Sequence, residues 1–289
     1  FAEECALWAI EELEKTKFDN GVVKIPGGEF EIGCVGPKDK QCTPGEKPRR
    51  TIKLDPFLML TKEVSSAEYH ECVEEQACTP PNSECLAATK NPNYPPSADN
   101  GNAAKHPIHC VRWEQARAYC QWWQSTGDLP TEAQFEYVLR NKQDGLIYPT
   151  GDDLGDLVSG VANLPDSGSG WGGQGEDLIE GLNDGYTESW PVDNGEPNEF
   201  GLLNIWGNVW EWTRDTIQPK TGYTALAERN PHQSNGESMV IRGAGFRYTG
   251  IGQKWLRSSW RWVQDKSDYD DVALGFRCVV ETQPNPCAP

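Results

Sequence analysis

Residues 201–212 read Gly-Leu-Leu-Asn-Ile-Trp-Gly-Asn-Val-Trp-Glu-Trp. Trp206, Trp210 and Trp212 stand at i, i+4 and i+6 and supply large apolar area with one indole N–H each, so they read as core packing. Upstream, from Gly151 to Asn198, almost nothing is periodic and Gly and Asp dominate. An irregular stretch of that length in a compact protein is usually functional or held by an ion. The three tryptophans are therefore expected in the core, and the stretch from 151 to 198 is expected to be irregular.

The whole chain has 289 residues, 37% of them hydrophobic, with 12 Trp and 29 Gly, which describes a globular protein with many loops. A formal charge of −18 argues against a nucleic-acid partner, because phosphate binding rests on clustered Lys and Arg. No apolar run is long enough to cross a membrane, and Phe1 opens no export signal, so any such segment is expected to have been removed. The ten cysteines are even in number, contain no CxxC pair and are spaced too widely for a zinc site, which points to disulfides and an oxidising compartment. An exported protein, periplasmic, cell-surface or extracellular, follows.

Local patterns fill in the rest. Glu3 to Phe18 reads as an amphipathic helix, with Ala6, Leu7, Ile10 and Leu13 on one face, so residues 1–20 form a helix packed on a domain spanning 21–289. Val22 to Gly33 reads as strand, Pro-Gly turn, strand, and so as a hairpin. Arg50 to Leu60 alternates as one strand, and Ser65 or Ser66 caps a helix through Tyr69 and Cys72. Thr79 to Pro107 is a stapled loop, Glu114 to Ser125 is helical, and Thr131 opens a further helix through Arg140. Cys34 and Cys42 are expected to pair locally, and Cys5 with Cys287 because termini often lie close. Cys72, Cys78, Cys85 and Cys110 leave three connectivities, of which Cys78–Cys85 with Cys72–Cys110 is the expected one. No linker and no repeat divides the chain, so one domain is expected.

Six phrases, in order, resemble the formylglycine-generating-enzyme or sulfatase-modifying-factor family, a variant of the C-type-lectin-like fold. They are residues 25–30 (IPGGEF), Cys110-Val111-Arg112-Trp113 with Ala118-Tyr119-Cys120, residues 129–137 (LPTEAQFEY), residues 201–212, residues 242–246 (RGAGF) and residues 274–278 (LGFRC). The resemblance covers about residues 21 to 281 and implies an α+β single domain with little regular secondary structure. It also implies a disulfide between Cys120 and Cys278, whereas a second family bridge falls on Leu139 and Ser258 and is lost.

The family holds two calcium ions, and its ligands carry over residue by residue. One set is the Asn163 side chain, the Leu164 carbonyl, the Asp184 carboxylate and the Tyr186 carbonyl. The other is the Asn204 side chain, the carbonyls of Gly207 and Val209, and the Glu211 carboxylate. Mixed backbone and side-chain oxygens are what calcium prefers. The expected cofactor is structural calcium.

The family's enzymes use two cysteines after the phrase corresponding to residues 243–246, and those positions hold Tyr248 and Gln253. Neither supplies a thiolate for copper(I), so formylglycine generation is disfavoured. His106 and His109 bracket a Pro-Ile in a loop, where packing is commoner than metal binding. What replaces the active site is the run Phe246, Arg247, Tyr248, Trp255, Arg257, Trp260, Arg261 and Trp262, aromatic and Arg-rich as interfaces and carbohydrate platforms are. Tyr248, Gln253, Trp255, Trp260 and Trp262 are the expected ligand-binding residues. The leading expectation is a non-catalytic module binding a protein or carbohydrate. An oxidative maturation enzyme with another residue set, and a structural subunit of a homo- or hetero-assembly such as a filament or envelope complex, are the alternatives.

Overall fold

The computed structural model describes residues 21–89, 103–154, 161–166, 179, 182–218, 227–247, 253–265 and 269–282. The expected N-terminal helix and the Cys5–Cys287 bridge lie outside these. Three small sheets carry the fold. The first has the order β1 (Val22–Ile25), β4 (Phe57–Leu60), β10 (Val279–Glu281), β5 (Gly127–Asp128), and the second pairs β2 (Gly28–Ile32) with β3 (Arg50–Leu54). The third has the order β8 (Trp262–Asp265), β7 (Ser238–Arg242), β6 (Trp210–Ile217), β9 (Leu274–Gly275), all antiparallel except β6 with β9.

Among the described residues four α-helices accompany the sheets: α1 (Ser66–Glu74), α2 (Ser83–Ala88), α3 (Trp113–Trp123) and α4 (Glu132–Leu139). Ser65 and Thr131 close capping boxes at α1 and α4, each accepting from the N–H three residues on while Glu68 or Gln134 reaches back. α4 is buried along its whole length, polar residues included. The stretch from 151 to 198 contains no helix or strand among its described residues, in line with its aperiodic sequence.

Two expectations about strands are corrected. Val22 to Gly33 is not a hairpin: β1 pairs with β4 and β2 with β3. Both favoured two-residue hairpin turns need positive φ at the first central position, and Pro26 is fixed at negative φ. Gly27 has a φ of 70° and its missing Cβ would stand 2.4 Å from the Leu54 carbonyl oxygen, so the chain crosses β3 there and changes sheet. Arg50 to Leu60 is likewise two strands, split at Asp55-Pro56, where proline offers no N–H to a ladder.

Cysteine pairing is also partly corrected. Cys34–Cys42 and Cys120–Cys278 are bridged as expected, but the middle four pair as Cys72–Cys78 and Cys85–Cys110. Cys72 lies in the last turn of α1; beyond it Gln76 takes a φ of 61° and the N–H groups of Ala77 and Cys78 both donate to the Cys72 carbonyl. That reversal brings the two Cα atoms to 5.3 Å. α2, a helix inside the segment expected to be loop, is held at its start by Asn82 N–H on the Cys110 carbonyl, which carries Cys85 to its partner. All eight described cysteines are in bridges.

Candidate functional site

One residue from each strand of the third sheet, Trp210, Ile241, Trp262 and Leu274, forms the floor of a cavity of about 160 Å³. Arg247, Tyr269, Asp271 and Ala273 complete it. The Trp210 and Trp262 rings meet edge to face at 5.2 Å, and Tyr269 stands 6.2 Å from Trp262. Trp210 leans at its back on Trp255, 5.5 Å away. A Cβ at Gly245 would fall 2.8 Å from the Trp210 ring, so the chain passes this wall as glycine.

The polar groups of the cavity are unequal. Asp271 accepts from the Ala273 N–H at 2.8 Å and from Arg247 Nη1 at 3.1 Å. Burial, and then the nearby Asp271 charge, raise the pKa of the Tyr269 hydroxyl. Trp210 differs from its neighbours in sequence. The indole N–H groups of Trp206 and Trp212 donate to the carbonyls of Leu256 and Val111 at 3.0 Å, whereas Trp210 Nε1 is buried without a partner. Treating the three tryptophans as equivalent packing therefore holds for two of them.

Of the five expected ligand-binding residues, only Trp262 is placed in this cavity. Trp255 is core, 1% exposed, and Trp260 lies against Lys254 and Arg257. Gln253 opens the 3-10 turn Gln253–Leu256 and is not in the wall, and Tyr248 lies outside the described residues. The reason is local: the turn folds Trp255 inward beneath Trp210. Trp210, Tyr269 and Asp271 were the unexpected wall residues, and only the aromatic-acidic phrase Tyr269-Asp270-Asp271 hinted at them.

Arg257 and Arg261, expected on the surface, belong to the interior. Arg257 holds Asp39 at 2.7 Å and both oxygens of Glu46. Arg261, Arg242 and Arg140 hold Glu132 and Glu136 from α4, with Glu136 also accepting the Gly33 N–H at 2.7 Å. The three guanidiniums keep the Glu136 carboxyl down at about 2 although burial alone would raise it. Four carboxylates and four guanidiniums balance across the two groups, and this network anchors the segment that leads into β8 and Trp262. His106 and His109 are packed apart, on Ser189 Oγ and Cys110 Sγ, and burial lowers the His109 pKa to about 4. Among the described residues, Cys34, Asp39 and Cys42 form the one close His/Cys/Asp/Glu group, and its sulfurs are bridged.

The eight residues expected to hold calcium fall into two adjoining clusters. Asp184 accepts the Tyr186 N–H on Oδ1 at 2.8 Å, while its Oδ2 is buried with no well-formed hydrogen bond, the Leu164 N–H being the near donor. Burial, with Asp166 nearby, raises the Asp184 pKa to about 6. An unsatisfied, desolvated carboxylate oxygen beside the Asn163-Leu164 backbone fits a hard cation. In the second cluster both Glu211 oxygens accept from Arg277 at 2.8 to 3.0 Å, and Asn204 Oδ1 accepts from Trp190 Nε1. A fully buried acid that sequence reasoning missed, Glu63, receives Asn204 Nδ2 and Asn208 Nδ2, one on each oxygen. The amides are fixed in orientation because their Oδ1 atoms take the indole and backbone N–H of Trp190. Two carboxylates face one guanidinium, and burial raises the Glu63 pKa to about 7, so near neutral pH a proton and a cation are alternative answers to the second carboxylate. The clusters touch where Gly207, φ 92°, lets the chain pass over Asn163; a Cβ there would lie 2.6 Å from the Asn163 carbonyl oxygen.

Comparison with known proteins agrees with this architecture. The family model described as the sulfatase-modifying factor enzyme 1-like domain matches residues 9–282. The chain is 30% identical to the formylglycine-generating enzyme of Mus musculus, over 91% of this chain and 76% of that protein. It is 28% identical to the mouse inactive C-alpha-formylglycine-generating enzyme 2, over 90% of this chain and 86% of that one. The structure of PvdO from Pseudomonas aeruginosa shares the fold with a TM-score of 0.67 at 23% identity, covering 90% of this chain and 94% of PvdO.

Proposed function

Because the chain belongs to the sulfatase-modifying factor enzyme 1-like family, we propose that it is a non-catalytic, calcium-stabilised binding module that works outside the cytoplasm. The observation that carries this reading is the chemistry around the cavity. Positions 248 and 253 are Tyr and Gln, every described cysteine is locked in a bridge, and aromatic rings with an Arg–Asp pair line the space instead. A thiolate is the nucleophile and the soft metal ligand in cysteine chemistry, and none is on hand among the described residues. That the family contains a relative named as inactive supports the same reading.

Four disulfides support export, since such bonds persist in oxidising compartments. Calcium would be held first by Asp184 with Asn163, Leu164 and Tyr186, on the strength of the Asp184 oxygen left with no well-formed hydrogen bond. The second set, Asn204, Gly207, Val209 and Glu211, has its side-chain oxygens taken by Arg277 and Trp190, and rests on the pairing of two carboxylates, Glu63 and Glu211, with one guanidinium, which a cation would balance where Glu63 is ionised. The ion's role is to fix the irregular stretch from 151 to 198, whose described residues form no helix or strand.

The test is an aerobic incubation of the copper(I)-treated protein with a peptide bearing one sulfatase-type cysteine, a formylglycine-generating enzyme running alongside. The peptide should return without an aldehyde detectable by hydrazide tagging. Aldehyde formation would make the cavity an active site and favour the maturation-enzyme reading.

A further inference from the structure

Resting on the reading that both ligand sets hold calcium, we infer that Glu63 and Asn208, neither an expected ligand, orient the amide ligands of the two sites together, so that filling one site favours filling the other. Asparagine amides carry the argument, because their partners fix which end is oxygen. Trp190 offers two N–H groups that can only donate: the backbone one reaches Asn208 Oδ1 at 2.9 Å and the indole one reaches Asn204 Oδ1 at 2.9 Å. The other ends of those amides are therefore nitrogen, and both donate to Glu63. Asn204 Nδ2 meets one of its oxygens at 3.0 Å and Asn208 Nδ2 the other at 2.9 Å. In the first set, Asn163 Nδ2 donates to the Glu188 carbonyl at 2.9 Å and to Asn208 Oδ1 at 3.4 Å, which leaves its amide oxygen for a cation.

One buried carboxylate thus sets the direction of Asn204 directly and that of Asn163 through Asn208. A flipped Asn208 would turn an NH2 on the Trp190 N–H and on Asn163 Nδ2, and an oxygen on Glu63, so three contacts oppose the flip. Direction matters because a hard cation takes the oxygen end of an amide and not the nitrogen. Groups that orient metal ligands from behind are worth a tenfold to hundredfold change in affinity in other proteins. The sites also share a segment of chain. Asp184 and Tyr186 of the first set run straight into Glu188, Trp190 and Val192, which hold Asn163, Asn208 and Asn204. That segment has no helix or strand of its own. Ordering it is a cost met when the first site fills and not again at the second, and this gives positive coupling.

The experiment titrates the whole chelated protein with calcium by calorimetry. The wild type should take up calcium at both sites with positive cooperativity. Glu63→Gln sets an amide nitrogen against one of the asparagine donors, and Asn208→Asp replaces the donor to Glu63 with an oxygen. Each should lose the cooperativity and weaken both sites by about tenfold. The two substitutions change the local charge in opposite directions, so an effect of charge alone would weaken binding in the first and strengthen it in the second. That pattern would overturn the inference. Asp184→Asn leaves the buried amides untouched and serves if those variants fold poorly: the site that remains should bind about tenfold more weakly than it does in the filled wild type. Independent sites in the wild type, or an unaltered second site in Asp184→Asn, would overturn the coupling and leave the calcium reading standing. No calcium uptake by the wild type would overturn both.

Discussion

Replacing Arg257 by Met should destabilise the protein more than any other single change in its interior. The side chain is 0% exposed and, among the described residues, is the only guanidinium bonded to Asp39 and Glu46, whose residues are 6% and 2% exposed. Met fills similar length, so packing changes little while two buried carboxylates lose their cation. Breaking one buried pair costs about 3–5 kcal/mol, and with two acids stranded the loss should reach the top of that range. Against a total of about 5–15 kcal/mol for a domain, that brings the protein near unfolding. Arg242→Met is the contrast: Glu132 and Glu136 would keep Arg261 and Arg140, so its cost should be smaller although Arg242 is equally buried. Adding Asp39→Asn and Glu46→Gln to Arg257→Met should recover most of the loss, because removing a whole ionic cluster is far cheaper than removing half. Urea unfolding followed by tryptophan fluorescence gives all three values. An Arg257→Met protein within about 1 kcal/mol of the wild type, or a triple variant no better than the single one, would refute the charge accounting.

Three further outcomes are expected. His109 is neutral when folded, its pKa lowered by burial from 6.5 to about 4; the unfolded chain binds the extra proton, so stability should fall as pH drops from about 6.5 to 4, by about 3 kcal/mol for this group. His109→Phe should flatten that limb relative to the wild type in unfolding measured across pH. Opening Cys120–Cys278, a separation of 158 residues, should cost about 5 kcal/mol against about 2 for Cys72–Cys78, a separation of 6, in the same unfolding assay; non-reducing peptide mapping should find the latter pair linked. Asp184→Asn should abolish the rise in melting point on adding calcium and leave the chelated protein no less stable, because it removes a carboxylate that burial already disfavours; an unchanged calcium response would remove Asp184 from the ligand set.

How far the sequence could be read follows from the range of the forces involved. The caps at Ser65 and Thr131, the helices they start and the short Cys34–Cys42 loop are written in residues within a few positions of one another. The β1–β4 and β2–β3 pairings are not, because Pro26-Gly27 looks like a hairpin turn until β3 arrives beneath it. Nor could spacing choose between Cys78 and Cys110 as the partner of Cys72, since the choice is made by the left-handed turn at Gln76. At the site, an aromatic and Arg-rich run marked the right segment but not which faces point where. Trp255 turned inward, Arg257 and Arg261 found buried acids far along the chain, on the segment 39–46 and on α4, and Trp210, read as core, became a wall. Glu63 was invisible for the same reason: its meaning depends on Asn204, Asn208, Glu211 and Arg277 converging from far along the chain.

Elemental analysis of the purified protein, with thermal melting before and after chelation, bears most directly on a calcium-held, non-catalytic scaffold. The account predicts stoichiometric calcium, neither copper nor iron, and a melting point that falls on chelation and returns with calcium. Stoichiometric copper or iron, or a melting point indifferent to chelation, would contradict it.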